Sequence, residues 1–418
     1  MNDKLARRVS GTALAAVASF AVCAGLLATP VQSALADTEQ ASAASVTDPL
    51  PSVYPVPQSM TAQGTDIGLG ASVALVTDAG TDQPAIDAVT QLMHTKGVQV
   101  DTSGSPAPGE TRIYLGQGGA AASALQKLGV QDALGLPAEG YVLADGVVDG
   151  QNAVVLDGHD GTGTFYAVQT LRQLITGRSV HGVVVRDWPE QALRGTIEGF
   201  YGTPWSDAQR QAQMDFYGSH KMNTYVYSPK NDPYLRDQWR DPYPPAQLQV
   251  LKTLVQRATE NHVEFTYALS PGLSVCYSSA ADEQALIAKF QSLWDIGVRL
   301  FSIPFDDINE TSWNCAADVA KFGTGGGAAG AAQSYLLNEV QRDFIDTHSG
   351  AQRLQMVPTE YSDVTDSPYK TAIRNDLDPA VVVGWTGVGV IATTITAEQA
   401  AQAKAVFGHD ILLWDNYP

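Results

Sequence analysis

Cysteine is scarce, with three copies in 418 residues, which excludes a fold built mainly on disulfides. Histidine is scarce too: seven copies are scattered along the chain, no Cys or His spacing resembles a zinc site, and there is no His-Glu-x-x-His. No catalytic metal and no cofactor are expected. Bases are few. Twenty-five Lys and Arg stand against 44 Asp and Glu, a net charge of −19. That balance excludes phosphate-backbone binding as the main business, because such binding rests on a basic face, so no nucleic-acid partner is expected. Charged residues make up 17% of the chain and hydrophobic ones 44%, which fits neither a coiled coil nor a disordered segment. What remains is a soluble globular protein long enough for two or three domains, with an acidic surface suited to a neutral substrate.

Residues 1–36 read as an export signal. Lys4, Arg7 and Arg8 form a basic start, an apolar stretch runs from about Thr12 to Ala28, and Ala34-Leu35-Ala36 offers a small-residue cleavage site. A membrane anchor is the alternative, disfavoured because the stretch is short and no stop-transfer charges follow it. The expected location is outside the cell or on its surface, with no membrane span after cleavage. Residues 37–49 read as a flexible polar leader. Of the cysteines, Cys276 and Cys315 lie beyond the signal, and such a pair in an exported chain is a candidate disulfide.

From residue 50 to 188 short strands alternate with Gly-rich turns and two or three helices, the pattern of a small α+β domain. Within it, Thr164–Thr176 keeps helical spacing through Phe165, Val168, Leu171, Leu174 and Ile175. From 189 to 418 the rhythm becomes strand, helix, strand, helix. Strands are expected at Leu193–Phe200, Thr224–Pro229, Val263–Ser270, Leu300–Asp306, Leu354–Thr359, Val381–Trp385 and Ile411–Trp414, with helices between them. This predicts an α/β fold: a (β/α)8-type barrel lacking its last unit. A doubly wound open sheet is the alternative, disfavoured because no Gly-x-Gly-x-x-Gly follows the first strand. The Gly-rich run at 323–330 lacks the Gly-Lys-Ser/Thr of a phosphate loop and reads as a flexible βα loop.

In such a barrel the chemistry gathers where strands end and βα loops begin. Those ends are rich in polar and aromatic groups: Glu198 to Gly202, Tyr227 to Asp232, Asp306-Asp307, Thr359-Glu360-Tyr361, Trp385-Thr386-Gly387 and Trp414 to Tyr417. Asp306-Asp307 carries the most chemical meaning. Two adjacent carboxylates repel, which holds one protonated near neutrality while the other stays ionised. That division suits glycosidic cleavage, where an acid protonates the leaving oxygen and an anion supports the cationic sugar. Trp385, Tyr361 and Trp414 would wall a pocket for a pyranose ring.

The segments Arg194 to Trp205, Tyr225 to Tyr234 and Phe305-Asp306-Asp307-Ile308, with Gly158 to Ala167 in the small domain, resemble glycoside hydrolase family 84. Members of that family are β-N-acetylglucosaminidases, including O-GlcNAc-removing enzymes and proteins historically called hyaluronidases. The resemblance implies retaining, substrate-assisted hydrolysis of terminal β-linked N-acetylglucosamine on a glycan or glycoprotein, through an oxazoline. It implies that Asp306 orients the acetamido N–H and that Asp307 is the general acid and then the base. It matches Gly199 and Lys230 to positions that bind sugar hydroxyls, and Tyr361 to one that hydrogen-bonds the acetamido carbonyl. Thr386 and Val390 match the lining of the acetamido pocket, Trp414 its aromatic wall, and Asn416 a further sugar contact. The family's barrel continues past the seventh strand, so the chain is expected to be a fragment of a longer protein. Cys276 follows the third strand and Cys315 the fourth, neighbouring loops in a barrel, which favours their pairing. Endo-acting cleavage of hyaluronan, disfavoured by the acidic charge, and a sugar-binding module without turnover are the competing readings.

Overall fold

The computed structural model describes residues 50–104 and 107–416. The segments read as an export signal and a polar leader, together with Tyr417, lie outside the described residues. No helix among those described is long and apolar enough to cross a membrane.

The first part is a seven-stranded mixed sheet. Its spatial order is Ser59–Ala62, Val183–Asp187, Tyr141–Val148, Gln151–Gly158, Thr111–Gly116, Ser72–Thr77 and Gln99–Asp101. The first four strands pair antiparallel and the last four parallel. Side chains alternate between two cores, as the two-residue period of a strand requires. Ile113, Leu115, Val154 and Leu156 face helices Gln83–Thr95 and Gly161–Leu174. Tyr114, Ala153 and Val155 face helix Gly119–Lys127. The buried helix Gly161–Leu174 starts at Asp160, whose carboxylate accepts the Gly163 N–H at 2.8 Å. A Cβ on Gly163 would lie 2.1 Å from the Gly140 carbonyl oxygen, so this helix start requires glycine.

The second part is a curled sheet of seven parallel strands. These are β1 (Gly195–Glu198), β2 (Thr224–Tyr227), β3 (Glu264–Ala268), β4 (Leu300–Pro304), β5 (Gln355–Val357), β6 (Val382–Trp385) and β7 (Ile411–Leu413). Each pairs only with its neighbours in the chain, and β1 and β7 are the edges among the described residues. This sequential order is that of a part-closed barrel; a doubly wound sheet would reverse direction within the sheet. Helices α1 (Asp207–Ser219), α2 (Pro245–Glu260), α3 (Ala280–Trp294), α4 (Ala316–Phe322), α5 (Gly326–Val340), α6 (Pro368–Asp376) and α7 (Ala397–Phe407) connect the strands. Aromatic side chains dominate the core, among them Trp239, Tyr225, Tyr267, Phe290, Phe301 and Phe344. The two parts meet through buried polar ties. Lys221 Nζ lies 2.8 Å from Asp187 and donates to the Tyr141 hydroxyl at 2.7 Å, and the His262 ring bridges Thr162 and Asp82.

One expectation of the fold needs correction. The Gly-rich run is not simply a loop, because α5 begins at Gly326. A Cβ on Gly330 would lie 2.6 Å from the Tyr369 carbonyl oxygen and 2.9 Å from Ala372 Cβ, so small residues here allow α5 to pack closely on α6. The connection before it contains the short helix α4.

Cys276 and Cys315 form a disulfide, with Cα atoms 5.6 Å apart and a sequence separation of 39. It ties the loop after β3 to the start of α4. Beside it the buried Asp318 accepts from the Tyr277 and Ser278 N–H groups, both at 2.8 Å. Intact mass of the oxidised protein is expected to show no alkylatable thiol at Cys276 or Cys315. Cys276→Ser with Cys315→Ser should cost about 2–4 kcal/mol in urea unfolding; two reactive thiols in the oxidised protein would contradict the pairing.

Asp145, on the strand Tyr141–Val148, is 0% exposed. Its Oδ1 accepts the Val183 N–H at 2.8 Å, and its Oδ2 has no partner. Burial, helped by Asp66, pushes its pKa up to about 7. The folded state therefore holds this proton more tightly than the unfolded chain. The stability it contributes is complete below the ordinary carboxylate pKa of about 3.9 and is lost as pH rises through about 7. Asp145→Asn keeps an acceptor and cannot ionise, so it should gain about 1–3 kcal/mol over the parent at pH 8 and change little at pH 4.5. Equal pH slopes for the two proteins would refute this.

Candidate active site

The parallel sheet delivers all seven strand ends to one rim, and buried braces set the loops there. Glu198, the last residue of β1, is buried and turned away from the rim. Arg210 of α1 donates to both its carboxylate oxygens at 2.8 Å, Tyr225 also bonds to it, and the Trp205 N–H reaches it at 3.1 Å. This brace fixes the loop Gly199–Pro204. In the loop after β5, the buried Lys370 lies 3.0 Å from Glu360 and 2.8 Å from Asp363, on both sides of Tyr361. A buried cation with two carboxylates is well compensated and holds a loop firmly.

Asp306 is placed by Phe305. The Phe305 N–H donates to the Val357 carbonyl at 2.8 Å, and the Phe305 carbonyl accepts the Thr359 hydroxyl at 2.9 Å. The next residue, Asp306, is half-buried, and Asp307 is exposed with φ of 54°, a left-handed conformation that a non-glycine residue adopts only at a cost. The Tyr361 hydroxyl donates to Asp307 Oδ1 at 3.1 Å. The Thr386 N–H donates to the Tyr361 carbonyl at 3.1 Å, the Thr386 hydroxyl to the Gly389 carbonyl at 3.1 Å, and the Gly389 N–H to the Ser362 carbonyl at 2.7 Å. The Asn416 side-chain amide reaches the Val390 carbonyl at 3.3 Å. The loops after β5, β6 and β7 thus form one hydrogen-bonded wall. From the opposite end of the sheet, Lys230 Nζ sits 4.9 Å from the centre of the Tyr201 ring.

All nine residues singled out from the sequence line one cleft of about 800 Å3: Gly199, Lys230, Asp306, Asp307, Tyr361, Thr386, Val390, Trp414 and Asn416. That volume is within the usual range for a small-molecule site. Gly199 lies beside the Trp414 ring, and Val390 is exposed at the rim. Trp385 is the exception among the expected pocket walls. It is wholly buried in the barrel core, with its indole N–H donating to the Asp363 carbonyl at 3.2 Å. As the last residue of β6 its side chain follows the strand alternation inward, and Thr386 takes the place facing the cleft.

The electrostatics single out Asp306. Burial raises its pKa above the carboxylate range and Asp307 raises it further, while Lys230 and Arg236 oppose the rise. Burial lowers the pKa of Lys230, and Arg236 lowers it further, against both aspartates. Tyr361 is pushed up to about 12 by burial and by Asp307, so it remains a donor at physiological pH. The two carboxyls stand in unlike environments, Asp306 half-buried and Asp307 exposed. In the free protein the carboxyl pushed up is Asp306, because it is the buried one. Outside the cleft, Glu283 of α3, Glu339 of α5 and Asp343 in the turn Gln341–Ile345 that follows α5 bring carboxylate oxygens together, where Arg342 already pairs with Glu339 and Asp343.

Arg236 escaped the sequence reading. It stands six residues past Lys230, beyond the short turn Pro233–Leu235, and nothing in its spacing distinguishes it from a surface base. Glu198 and Arg210 were equally unreadable as partners, because the contact exists only once α1 has folded back on β1.

Comparison with known proteins agrees with this geometry. The beta-N-acetylglucosaminidase family model matches residues 194–418, and that of glycosyl hydrolase family 20, domain 2, matches residues 50–188. The Protein O-GlcNAcase of Mus musculus is 32% identical over 230 residues, covering 54% of this chain and 24% of that protein, and the Rattus norvegicus protein matches equally. The chain thus spans about a quarter of the length of these relatives. The solved structure of CpGH84B superposes with a TM-score of 0.74 at 32% identity, covering 88% of this chain and 62% of that one. CpGH84D, at 23% identity and a TM-score of 0.74, shares the fold. With half its length matched by one family model and the same architecture as these structures, the chain belongs to the beta-N-acetylglucosaminidases of glycoside hydrolase family 84.

Proposed function

We propose that this chain is an exported, exo-acting β-N-acetylglucosaminidase that removes terminal β-linked N-acetylglucosamine from a glycan or glycoprotein. The observation that carries the reading is the asymmetric Asp306–Asp307 pair in a pyranose-sized cleft, with Tyr361 bonded to Asp307. The net charge of −19 supports a neutral terminal sugar over the polyanion hyaluronan. The basic and apolar start of the chain supports export, as does the Cys276–Cys315 disulfide, a bond typical of oxidising compartments.

In this mechanism the substrate supplies the nucleophile. Its acetamido carbonyl oxygen attacks the anomeric carbon while the bond to the leaving oxygen breaks and Asp307 transfers its proton to that oxygen. The ionised Asp306 accepts a hydrogen bond from the acetamido N–H and stabilises the oxazolinium charge. Asp307, now ionised, takes a proton from water, which attacks the anomeric carbon and reopens the ring with net retention. Holding the acetamide against the ring converts the attack into a proximate intramolecular step. Tyr361 serves both ends. In the free site its hydroxyl donates to Asp307; with sugar bound it turns to the acetamido carbonyl while Asp307 receives the glycosidic oxygen.

Hydrolysis of 4-nitrophenyl β-N-acetylglucosaminide by residues 37–418 is the direct test. Asp307→Asn and Asp306→Asn should each lower kcat by about 10²–10⁴, and the first product released should be the β-anomer. A folded protein that binds N-acetylglucosamine without turnover would overturn the reading in favour of a binding module. The pH profile gives a second test. Asp306 must be ionised, so its raised pKa should place the acid limb of kcat/KM above the ordinary carboxylate value of about 3.9, with activity lost as pH falls through it. An acid limb at or below that value would contradict the role given to Asp306.

A further inference from the structure

Arg236 reaches into the barrel below the cleft. With Lys230, Ser228, Ser270 and Asp306 it lines an internal cavity of about 20 Å3, room for little more than one water. Asp306 is the one acidic side chain around that cavity. Among the described residues the Arg236 side chain makes no ion pair and no hydrogen bond, and its Nε is buried without a partner. This is unusual company for an arginine. The buried cations of this barrel have their partners: Arg210 has Glu198, Lys221 has Asp187, Lys370 has Glu360 and Asp363, and Lys289 donates to the Tyr234 carbonyl at 3.2 Å. Arg236 is half-buried, and a guanidinium with a buried, unpartnered N–H is costly unless it serves a charge nearby. Arg236 is absent from the walls of the cleft, where Lys230, Asp306 and Asp307 all appear. It therefore does not meet the sugar.

We propose that Arg236 is a positioning residue that acts through Asp306, holding its carboxylate ionised and oriented from beneath while Lys230 remains free to take a sugar hydroxyl. The inference rests on the reading of Asp306 as the anion that supports the oxazolinium. The charged and titratable groups facing Asp306 are Asp307 beside it, Lys230 and Arg236 from the loop after β2, and Tyr361 from the loop after β5. Burial and Asp307 favour the neutral carboxyl, and the two cations are the groups that oppose them. Lys230 is held back by its own desolvation and by Arg236. The permanent charge of Arg236 does not depend on pH in the working range, which makes it the steadier of the two.

The test is the pH dependence of kcat/KM for 4-nitrophenyl β-N-acetylglucosaminide in Arg236→Met and Arg236→Lys. With Arg236→Met the acid limb should move to higher pH by about one unit, since an opposite charge nearby lowers a carboxyl by about that much or more. KM at the high-pH plateau should stay within about twofold, and Arg236→Lys should restore most of the shift. A limb that stays in place while the plateau falls, or a rise in KM alone, would overturn the proposal in favour of a packing role. Carbon-13 carboxyl titration of Asp306, assigned with Asp306→Asn, reads the same coupling without turnover. If the parent does not hydrolyse the substrate yet Asp306 titrates higher in Arg236→Met, the coupling stands and the glycosidase reading fails. If the titration does not move, the coupling is refuted whatever the activity. Should Arg236→Met fail to fold by circular dichroism, Arg236→Gln takes its place in both measurements.

Discussion

Two hydrogen bonds at Phe305 set where the carboxylate pair stands. The N–H of Phe305 continues the ladder between β4 and β5, and its carbonyl is held by the Thr359 hydroxyl, which itself accepts from Gln333 of α5. The strand thus stays in register for one residue beyond its regular end and then stops. Asp306 emerges at a defined depth, low enough to share a cavity with Arg236, and the left-handed backbone of Asp307 turns the next carboxylate up into the cleft. Were β4 to end a residue earlier, the pair would rise together into solvent and lose the difference in environment that separates their proton affinities.

The same principle governs the loops around them. Several loops around the cleft are tied by a charge buried behind them. Glu198 and Arg210 hold the loop of Gly199, Asp318 and the disulfide hold the loops after β3 and β4, and Lys370 holds the loop of Tyr361. Such groups add little net stability, because desolvation offsets most of their attraction, yet breaking one half of a pair leaves an uncompensated charge and is costly. They make alternative loop positions expensive. That is what a site needs when the reacting atoms must meet within fractions of an ångström.

Much of this was legible in the sequence for identifiable reasons. A buried parallel strand is a continuous apolar run of fixed length, so β2 to β6 stand out against their amphipathic helices, and the rim residues follow from the strand ends. Asp306 and Asp307 are visible because a buried apolar strand that runs straight into two adjacent carboxylates delivers both to the barrel mouth. The misses share a cause: they depend on three-dimensional neighbours. Nothing local says that the glycines of α5 face α6, that Trp385 points inward one residue before Thr386 points outward, or that Arg236 lies under Asp306. The two-residue strands and Ser59–Ala62 in the small domain escaped as well, since strands so short carry no period to read.

The distribution of the proton in the free site bears on how the reaction begins. The mechanism proposed above assigns the proton to Asp307 and the charge to Asp306, while burial in the empty cleft favours the neutral carboxyl at Asp306. These are compatible because the sugar changes both environments in the required sense. Its acetamido N–H gives Asp306 a donor that favours the anion, and the positive charge developing on the ring favours it further. Over Asp307 the sugar and its leaving group displace water and take away the Tyr361 hydroxyl, and both changes favour the protonated acid. Binding would thus hold in place the charge on Asp306 that the reaction needs and that the free site keeps only above the acid limb. A substrate lacking the acetamido N–H would give Asp306 no such donor, so the cleft would select for the acetamido group through the charge on Asp306 as well as through fit.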